Sequence, residues 1–381
     1  MHANPPLLLI AGAGGATGST VAAAIAAMKE DPGKMLPWLT TSHWFKDRDL
    51  LRGMELAGWD VTPRTLGQAI EYHGVLPPEK YLSCLEHLGK FPIRCAPGND
   101  LPLHKQVEHL IRDIQDFKGL CPDTHPVLVN LLPASRVMDL QDFKAFDEIY
   151  SQAHVLNFPD LAYVLAAIST GTPIVNFTSN YLEMPLISQE AITAGIPLCG
   201  RDGKTGQTYL KVVLASALKA RGLRVDGWYS LNILGNEDGR NLADPDKAAG
   251  KISNKTELLE DILGYKVGRQ YGAPSHKVTI DYYPPRGDCK EAWDVIDFTG
   301  LFGMPMSLRL NLQARDSILA GPMIIDLAWW MVVVHMAKRP GLVPELGFYF
   351  KKPTGDNPPI TFQDQLAALQ SLENDCREIL H

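Results

Sequence analysis

The sequence predicts an α/β protein in which a mostly parallel sheet is interrupted by a smaller α+β domain. Three observations favour this fold class. An apolar run at Leu7–Ala11 leads through several glycines into a helix rich in small residues. Apolar runs typical of buried strands then alternate with helical segments over about 200 residues. From Arg224 onward the predicted strands alternate apolar and polar side chains, which indicates a different sheet.

The parallel part follows the chain in order. Leu7–Ala11 is predicted to be the first strand, because it is a short apolar run bounded by glycines. The helix after it runs from about Gly18 to Lys29. Further elements are predicted at Ile111–Lys118 (helix), Val127–Leu132 (strand), Phe158–Ser169 (helix), Pro173–Phe177 (strand), Pro185–Ala194 (helix), Ile196–Cys199 (strand) and Gly206–Arg221 (helix).

The middle of the chain is predicted to form the α+β domain. Its elements are strands at Arg224–Asn232, Lys277–Tyr283 and Ser307–Leu312, with a polar helical region at Lys247–Leu263. The chain then returns to α/β character and ends in an amphipathic helix at Thr361–Leu380. We therefore predict one domain built from residues 1–225 and 315–381, and a second built from residues 226–314.

Composition argues for a globular protein and against two classes of partner. The 381 residues are 45% hydrophobic and 21% charged, which is typical of a soluble chain with a sizeable core. The net charge of −7 argues against nucleic acid and against an anionic membrane. The apolar segment Ile318–Met336 contains Asp326 and His335, so a buried helix is favoured over a membrane span. Without a signal-type N-terminus, and with six scattered cysteines lacking a Cys-x-x-Cys pair, a cytoplasmic location is expected.

The turn after the first strand is a candidate binding site. Gly12, Gly14, Gly15 and Gly18 lie in the stretch GAGGATG. Glycines let a backbone approach a pyrophosphate closely, and the start of the following helix offers free N–H groups. The spacing only approximates Gly-x-Gly-x-x-Gly. These residues favour dinucleotide binding, with an ordinary tight turn as the alternative.

A second glycine-rich stretch, GRDGKTGQT at Gly200–Thr208, contains a Gly-Lys-Thr triplet. A Walker A loop would need a glycine where the chain has Leu198, so that interpretation is excluded. The stretch is better explained as a turn in which Thr205, Gln207 and Thr208 open a helix. Free N–H groups and hydroxyls there suit a phosphate or a sugar hydroxyl. An ordinary helix cap by Thr205 is the alternative.

Two lysines stand four residues apart, at Lys251 and Lys255. On a helix they would lie on one face and repel each other. Such a pair is usually part of a solvated surface, but a site that stabilises a developing alkoxide or enolate favours it. The preceding stretch Ser230–Leu242 is rich in amides and carboxylates, and its Asn-Glu-Asp-Gly sequence is also typical of a turn.

Taken in order, these stretches resemble the myo-inositol-1-phosphate synthase family. The matching segments are AGGATGST (Ala13–Thr20), GWD (Gly58–Asp60), IRDIQDFK (Ile111–Lys118), GRDGKTGQT (Gly200–Thr208), SLNILGNEDGRNL (Ser230–Leu242), GKISNK (Gly250–Lys255), HKVTIDYYPPRGDCK (His276–Lys290), RDSILAGPMIIDL (Arg315–Leu327) and FYFKKP (Phe348–Pro353). Each motif is weak alone, whereas their order along nearly the whole chain is specific. The resemblance implies a Rossmann-like NAD-binding domain, interrupted by an α+β catalytic and oligomerisation domain, in a homotetramer.

The resemblance also implies a reaction and its residues. Glucose 6-phosphate, a sugar phosphate, would become an inositol phosphate by oxidation, enolisation, intramolecular aldol closure and re-reduction, with NAD recycled and room for a cation near the cofactor pyrophosphate. The implied cofactor residues are Gly12, Gly14, Gly15, Ala16, Thr17, Gly18, Asp60 and Asp202. The implied substrate residues are Thr205, Gly206, Gln207, Thr208, Asn232, Asn236 and Asp238. The implied catalytic lysines are Lys251, Lys255 and Lys351, with Lys352 as the alternative to Lys351 if the register slips by one.

One departure from the family pattern bears on function. The family strand VIKYxxxxGDSK carries a lysine where TIDYYPPRGDCK has Asp281. We expect Asp281 among the catalytic residues, where its charge would oppose an anionic substrate unless Arg286 or a pairing with Lys255 compensates. The family glutamate before the motif DSLL is also changed, to Arg315, and the serine of GDSK is Cys289.

Two alternatives to the ordinary activity follow from these departures. One is a cyclase of the same mechanism that acts on a different sugar. The other is an inactive homologue that binds NAD. The cofactor itself is expected to be NAD rather than NADP, because no basic residue follows the glycine turn at a suitable spacing and because Glu30 and Asp31 close the first helix. Asp60 is the candidate ribose ligand, with an ordinary loop aspartate as the alternative.

Overall fold

The computed structural model describes residues 4–39, 48–62, 64–135, 143, 145–151, 159–244, 257–270 and 272–380. Its largest element is a seven-stranded sheet whose paired strands all run parallel. The strands are β1 Pro6–Ala11, β2 Glu55–Asp60, β3 Ile93–Cys95, β4 His125–Asn130, β5 Ile174–Asn176, β6 Pro197–Gly200 and β13 Gly341–Leu342. Their order across the sheet, β13-β6-β5-β4-β1-β2-β3, contains the Rossmann order with β13 added at one edge. The predicted fold class is confirmed.

Helices cover both faces of this sheet. Side chains alternate along its strands, so each strand contributes residues to a core on each face. Leu8 and Ile10 of β1 belong to one core, whereas Leu7 and Leu9 belong to a second core on the other face. The helices of the described chain are α1 Ala16–Glu30, α2 Arg48–Arg52, α3 Leu66–His73, α4 Leu85–Lys90, α5 Leu103–Leu120, α6 Phe146–Ser151, α7 Pro159–Ser169, α8 Pro185–Thr193, α9 Gln207–Ala220, α10 Glu237–Leu242, α11 257–263, α12 Asp316–Met336 and α13 Phe362–Leu380. The first core is formed with α1 and α12, and the second with α5 and α7.

Helix α12 is the long apolar helix that the sequence predicts to be buried. By length and composition it could cross a membrane, but 83% of its apolar stretch is buried inside the protein. It is apolar all round because it is surrounded by the sheet, α1 and α13. The prediction of a buried helix is confirmed.

A second sheet has four strands: β7 Arg224–Leu234, β10 His276–Tyr282, β11 Lys290–Thr299 and β12 Pro305–Ala314, in the order β10-β7-β11-β12. β10 runs parallel to β7, and the other pairs are antiparallel. One face packs on α9 and α11 through Val225, Trp228 and Ile296. The opposite face exposes Tyr229 and Trp293. Short strands β8 Arg269–Gln270 and β9 Ala273–Pro274 pair with each other.

Several elements differ from the prediction for identifiable reasons. β11 was not predicted, because its sequence KEAWDVIDFT mixes charged and apolar residues. β4 ends at Asn130 rather than Leu132, because the two residues after it leave the sheet and line a cavity. The predicted Asn-Glu-Asp-Gly turn is the first turn of α10. The helical region predicted at Lys247–Leu263 lies outside the described residues up to position 256. The domain boundaries near residues 225 and 315 stay a prediction.

Candidate active site

A cavity of about 450 Å³ lies outside the carboxyl ends of β1 and β4. After β1 the chain crosses to one face of the sheet, and after β4 it crosses to the other face. Open α/β sheets bind their ligands where two neighbouring strands diverge in this way. The cavity is lined by the segments that follow β1, β4, β5 and β6. The starts of α10 and α12, together with His73, Asp288 and Lys351, complete the wall.

The glycine turn has the shape that a dinucleotide-binding loop requires. Gly12 has a left-handed backbone, with a φ of 89°, and its N–H donates to Trp59 O at 3.0 Å. A Cβ on Gly18 would lie 2.6 Å from Gly12 O, so only glycine lets α1 start this close to the turn. Gly15 precedes α1 without a side-chain cap, so no side chain competes with a ligand for its first N–H groups. Gly12, Gly15, Ala16, Thr17 and Gly18 line the cavity. This cradle fits a pyrophosphate.

Asp60 lies at the carboxyl end of β2, beside the glycine turn. Its Oδ2 accepts the N–H of Gly14 at 2.9 Å, and a Cβ on Gly14 would meet that oxygen at 2.7 Å. In dinucleotide-binding folds an acid at this position holds the ribose hydroxyls. The location therefore fits the ribose role predicted for Asp60. His73, which was not predicted, lines the cavity beside it, with Nε2 at 3.0 Å from Gly14 O.

Part of the argument for NAD over NADP needs correction. Glu30 and Asp31 lie at the far end of the 15-residue helix α1, about 20 Å from the glycine turn at ~1.5 Å per residue. They cannot contact a ribose bound at the turn. The preference for NAD then rests on the lack of a basic residue at a suitable spacing after the turn, and on Asp60, whose charge would repel a 2′-phosphate. It stays a prediction.

Asp202 and Lys351, both predicted site residues, form an ion pair on the cavity wall. The Lys351 Nζ donates to Asp202 Oδ1 at 2.6 Å, and the Lys351 N–H donates to Asp202 O at 2.7 Å. The side chain of Lys351 is 13% exposed and that of Asp202 is 4% exposed. Lys352 pairs instead with Glu257 and does not line the cavity. The structure thus favours Lys351 over its neighbour as the site lysine.

A second lysine, which was not predicted, lies one contact behind the cavity wall: Lys290 does not line the cavity itself, but it pairs with Asp316, which does. Lys290 Nζ lies 2.9 Å from Asp316 Oδ2, and Thr205 Oγ1 donates to Asp316 Oδ1 at 2.9 Å. Burial would raise the pKa of Asp316, but the charges of Lys290 and Lys351 and the Thr205 hydrogen bond outweigh it and hold that pKa well below its usual range. The signal was present in the family pattern VIKYxxxxGDSK, whose final lysine is Lys290 here.

Thr205 therefore binds Asp316, and the alternative that it caps α9 is wrong. Gly206 occupies the capping position of that helix, with no side-chain hydrogen bond. Gly206 itself does not line the cavity, whereas Thr205 does.

The structure does not bring Asp281 to this site. It is exposed on the edge strand β10 and pairs in register with Ile233 of β7. Asn232 is buried on the opposite face, and it pairs with Ala292. Lys290, two residues before Ala292, therefore lies on the face opposite Asp281. The expectation that Asp281 opposes the substrate is corrected, and the motive for a different sugar falls with it.

Asp281→Lys is expected to leave kcat/KM for glucose 6-phosphate, the substrate that the resemblance implies, within about twofold of wild type. An exposed charge on the far face of the sheet is screened from the cavity. Steady-state kinetics check this, with the melting temperature and the mass in solution recorded alongside. A rise in kcat/KM of about tenfold or more, at unchanged mass in solution, would show that Asp281 acts in the site.

The predicted polar ligands divide into two groups. Asn236 and Asp238 line the cavity, and Asn236 Oδ1 caps α10 by accepting the N–H of Gly239 at 3.1 Å. Gln207, Thr208 and Asn232 are buried and do not line it.

Those buried amides connect helix α9 to the four-stranded sheet. Asn232 Nδ2 donates to Gln207 Oε1 at 2.6 Å, and Gln207 Nε2 donates to Asp294 Oδ2 at 2.9 Å. They join the start of α9 to β7 and β11, so their local role is to hold this helix against the four-stranded sheet.

Two predicted catalytic residues, Lys251 and Lys255, lie outside the described residues, and their roles stay predictions. Within the ranges that the structure describes, there is no group of three or more His, Cys, Asp or Glu side chains that could hold a metal ion. The cation expected near a cofactor pyrophosphate also stays a prediction.

Comparisons with known proteins point to one family. A sequence profile described as myo-inositol-1-phosphate synthase matches residues 206–317. The chain is 34% identical to inositol-3-phosphate synthase 1 of Bacteroides thetaiotaomicron, over 80% of this chain and 76% of that protein. It is 30% identical to inositol-3-phosphate synthase of Spirodela polyrhiza, over 59% of this chain and 46% of that protein. The match therefore spans about half the length of the plant relative.

Solved structures agree at the level of fold. An inositol-3-phosphate synthase from Caenorhabditis elegans superposes with a TM-score of 0.85 at 22% identity, over 98% of this chain and 86% of that chain. A myo-inositol-1-phosphate synthase-related protein from Thermotoga maritima superposes with a TM-score of 0.75 at 20% identity, over 99% of both chains.

Proposed function

Because this chain belongs to the myo-inositol-1-phosphate synthase family, we propose that it is an NAD-dependent cyclase that converts glucose 6-phosphate to an inositol phosphate. One observation carries the proposal. The glycine turn fits a dinucleotide, and the cavity beside it is lined by the ion-paired Lys351 and by Asp316, which Lys290 contacts from behind the wall. A dinucleotide and an anionic sugar would thus meet in one place.

The cofactor would be held by the glycine turn and by Asp60. NAD would supply a hydride acceptor that oxidises C5 of the sugar and returns the hydride after ring closure. The chain's part is to bring the backbone of Gly12 to Gly18 close to the pyrophosphate and to exclude side chains there.

The two lysines would act on the sugar. Lys290 is held by Asp316 and Lys351 by Asp202, so both ammonium groups are oriented before a ligand arrives. Preorganised positive charge stabilises an enolate or alkoxide oxygen as it develops, which is usually the largest catalytic term. From the resemblance, Lys255 would move the proton at C5 and Lys251 would contact the C1 oxygen during closure.

Purified protein with glucose 6-phosphate and a catalytic amount of NAD is expected to form an inositol phosphate without net accumulation of NADH. Phosphorus NMR identifies the product, and absorbance at the NADH band follows the cofactor. Steady NADH formation without a cyclitol would show an ordinary dehydrogenase. NAD binding without turnover would show the inactive homologue instead.

The assembly is proposed to be a homotetramer built through the four-stranded sheet. Apolar side chains are exposed on this sheet and on its β11–β12 hairpin, at Tyr229, Trp293, Leu301, Phe302, Met304 and Met306. Exposed apolar surface on this scale is typical of an interface, and a second copy of the chain is the partner that the family implies. Light scattering measures the mass, and a species of one 42.0 kDa chain would contradict the proposal.

A further inference from the structure

Asp288 lines the cavity, and one of its carboxylate oxygens is buried without a hydrogen-bond donor among the described residues. It lies between β10 and β11, lines the cavity, and has a side chain only 3% exposed. Its Oδ1 accepts a hydrogen bond from Asn236 Nδ2 at 3.2 Å. Its Oδ2 is buried and has no hydrogen-bond donor among the described residues. A buried carboxylate oxygen without a donor is unfavourable, so a ligand that donates there would relieve it.

Arg315 is the cation beside that oxygen. Its Nη1 lies 3.8 Å from Asp288 Oδ2, which is an ion pair but too long for a hydrogen bond. The same Nη1 donates to Gly74 O and to Val75 O at 3.3 Å each. These carbonyls follow α3, whose negative dipole end favours a cation. Arg315 is therefore anchored on the backbone after α3 and presents its charge to Asp288 without filling the oxygen's lone pairs.

The anchor is connected to the cofactor side of the cavity. His73, the last residue of α3, contacts Gly14 O of the glycine turn at 3.0 Å. The same end of α3 thus touches the glycine turn through His73 and holds Arg315 through Gly74 and Val75. One short segment therefore contacts both the glycine turn and the cation beside Asp288.

We propose that Arg315 is a positioning residue, which holds the ionised Asp288 carboxylate beside the end of α3. In that position Asp288 Oδ2 accepts a hydrogen bond from a hydroxyl group of a polyol phosphate. The identity of that ligand rests on the proposed function. Arg315 stands where the family has a glutamate, so the device belongs to this chain rather than to the family pattern.

The charges around Asp288 explain why an anchored cation matters. Burial and the charge of Asp316 raise the pKa of Asp288, and burial has the larger effect. The hydrogen bond from Asn236, the charge of Arg315 and, to a smaller extent, His73 lower that pKa. The net shift is upward. Without Arg315 the carboxyl would protonate at a higher pH and would become a donor where an acceptor is needed. When Arg315 is removed, the fall of kcat/KM at acidic pH should therefore begin at a higher pH.

Arg315→Gln is expected to raise KM for glucose 6-phosphate about tenfold, while kcat changes less than about threefold. The acid limb of kcat/KM should move up by about one pH unit. Arg315→Lys should recover most of both effects, because it restores the charge. NAD affinity should stay within about twofold. The matched control is Arg52→Gln, which removes an exposed arginine of α2 and should change neither KM nor the pH profile.

Asp288→Asn tests the role with Arg315 intact, because it removes the acceptor charge itself and should raise KM for glucose 6-phosphate about tenfold on its own. In a protein that already carries Asp288→Asn, adding Arg315→Gln should raise KM little further. The effects of the two changes on KM should therefore not add in the double variant. Wild-type KM and an unshifted acid limb in folded Arg315→Gln would overturn the positioning role.

A binding experiment separates this inference from the proposed function. Glucitol 6-phosphate has no C1 aldehyde and cannot close the ring, so calorimetry with it needs no turnover. Binding about tenfold weaker to Arg315→Gln than to wild type would support the role even if glucose 6-phosphate is not converted. Equal binding to both proteins, or no binding to wild type, would overturn it.

Discussion

Lys290→Met is expected to lower kcat by at least about a hundredfold, while NAD affinity stays within about twofold. The Lys290 ammonium lies 2.9 Å from Asp316, whose partner Thr205 lines the cavity. Methionine keeps most of the length of the side chain and removes its charge together with the N–H groups that donate to Asp316. The glycine turn is untouched, so cofactor binding has no reason to change. Steady-state kinetics and an NAD titration separate the two effects.

The same change should also alter stability in a defined pH window. The pKa of Asp316 is held below its usual range, so its interactions stabilise the fold at neutral pH and are lost as pH falls through the folded value. Lys290→Met removes part of that stabilisation. The melting temperature should drop at neutral pH and approach that of wild type in strong acid. A thermal scan across pH records this.

Lys90→Met is the matched control, because Lys90 forms an exposed pair with Glu86 on α4. It should leave both kcat and the melting temperature close to wild type. If Lys290→Met keeps more than about a tenth of wild-type kcat, a barrier change under ~1.4 kcal/mol, the assigned role is wrong.

Gly18→Ala is expected to weaken NAD binding by at least about tenfold, and it should also destabilise the fold. The added Cβ would lie 2.6 Å from Gly12 O and 2.7 Å from Ala13 O. Both neighbours are backbone atoms, so α1 has to move away from the turn. The pyrophosphate cradle then opens. A fluorescence titration with NAD and a thermal scan measure the two consequences.

Gly89→Ala is the control for this substitution. A Cβ at Gly89 in α4 meets nothing within 4 Å, and alanine favours helix by about 0.5–1 kcal/mol over glycine. This variant should bind NAD normally and be at least as stable as wild type. Normal NAD binding by Gly18→Ala would show that the dinucleotide does not lie on this turn.

Residues that act through local backbone geometry could be predicted from the sequence. The strand, glycine turn and helix at Leu7–Glu30 follow from an apolar run, small residues and missing side chains, all within one short segment. The buried character of α12 follows in the same way from its composition. The family motifs predicted Lys351 and Asp202 as site residues, although their contact across 149 positions appears only in the folded chain.

The tertiary structure decided which side chains face the cavity. Asp281 and Lys290 lie in one motif, yet strand pairing puts them on opposite faces of the sheet, because successive side chains alternate and the register is set by β7. Gln207 and Asn232 could equally bind a sugar or each other, and the packing of α9 on β7 makes them bind each other. Arg315 acquires a partner only because α3 ends beside it. Local pattern determines the elements of this protein, whereas long-range pairing determines which of their polar groups remain open to a ligand.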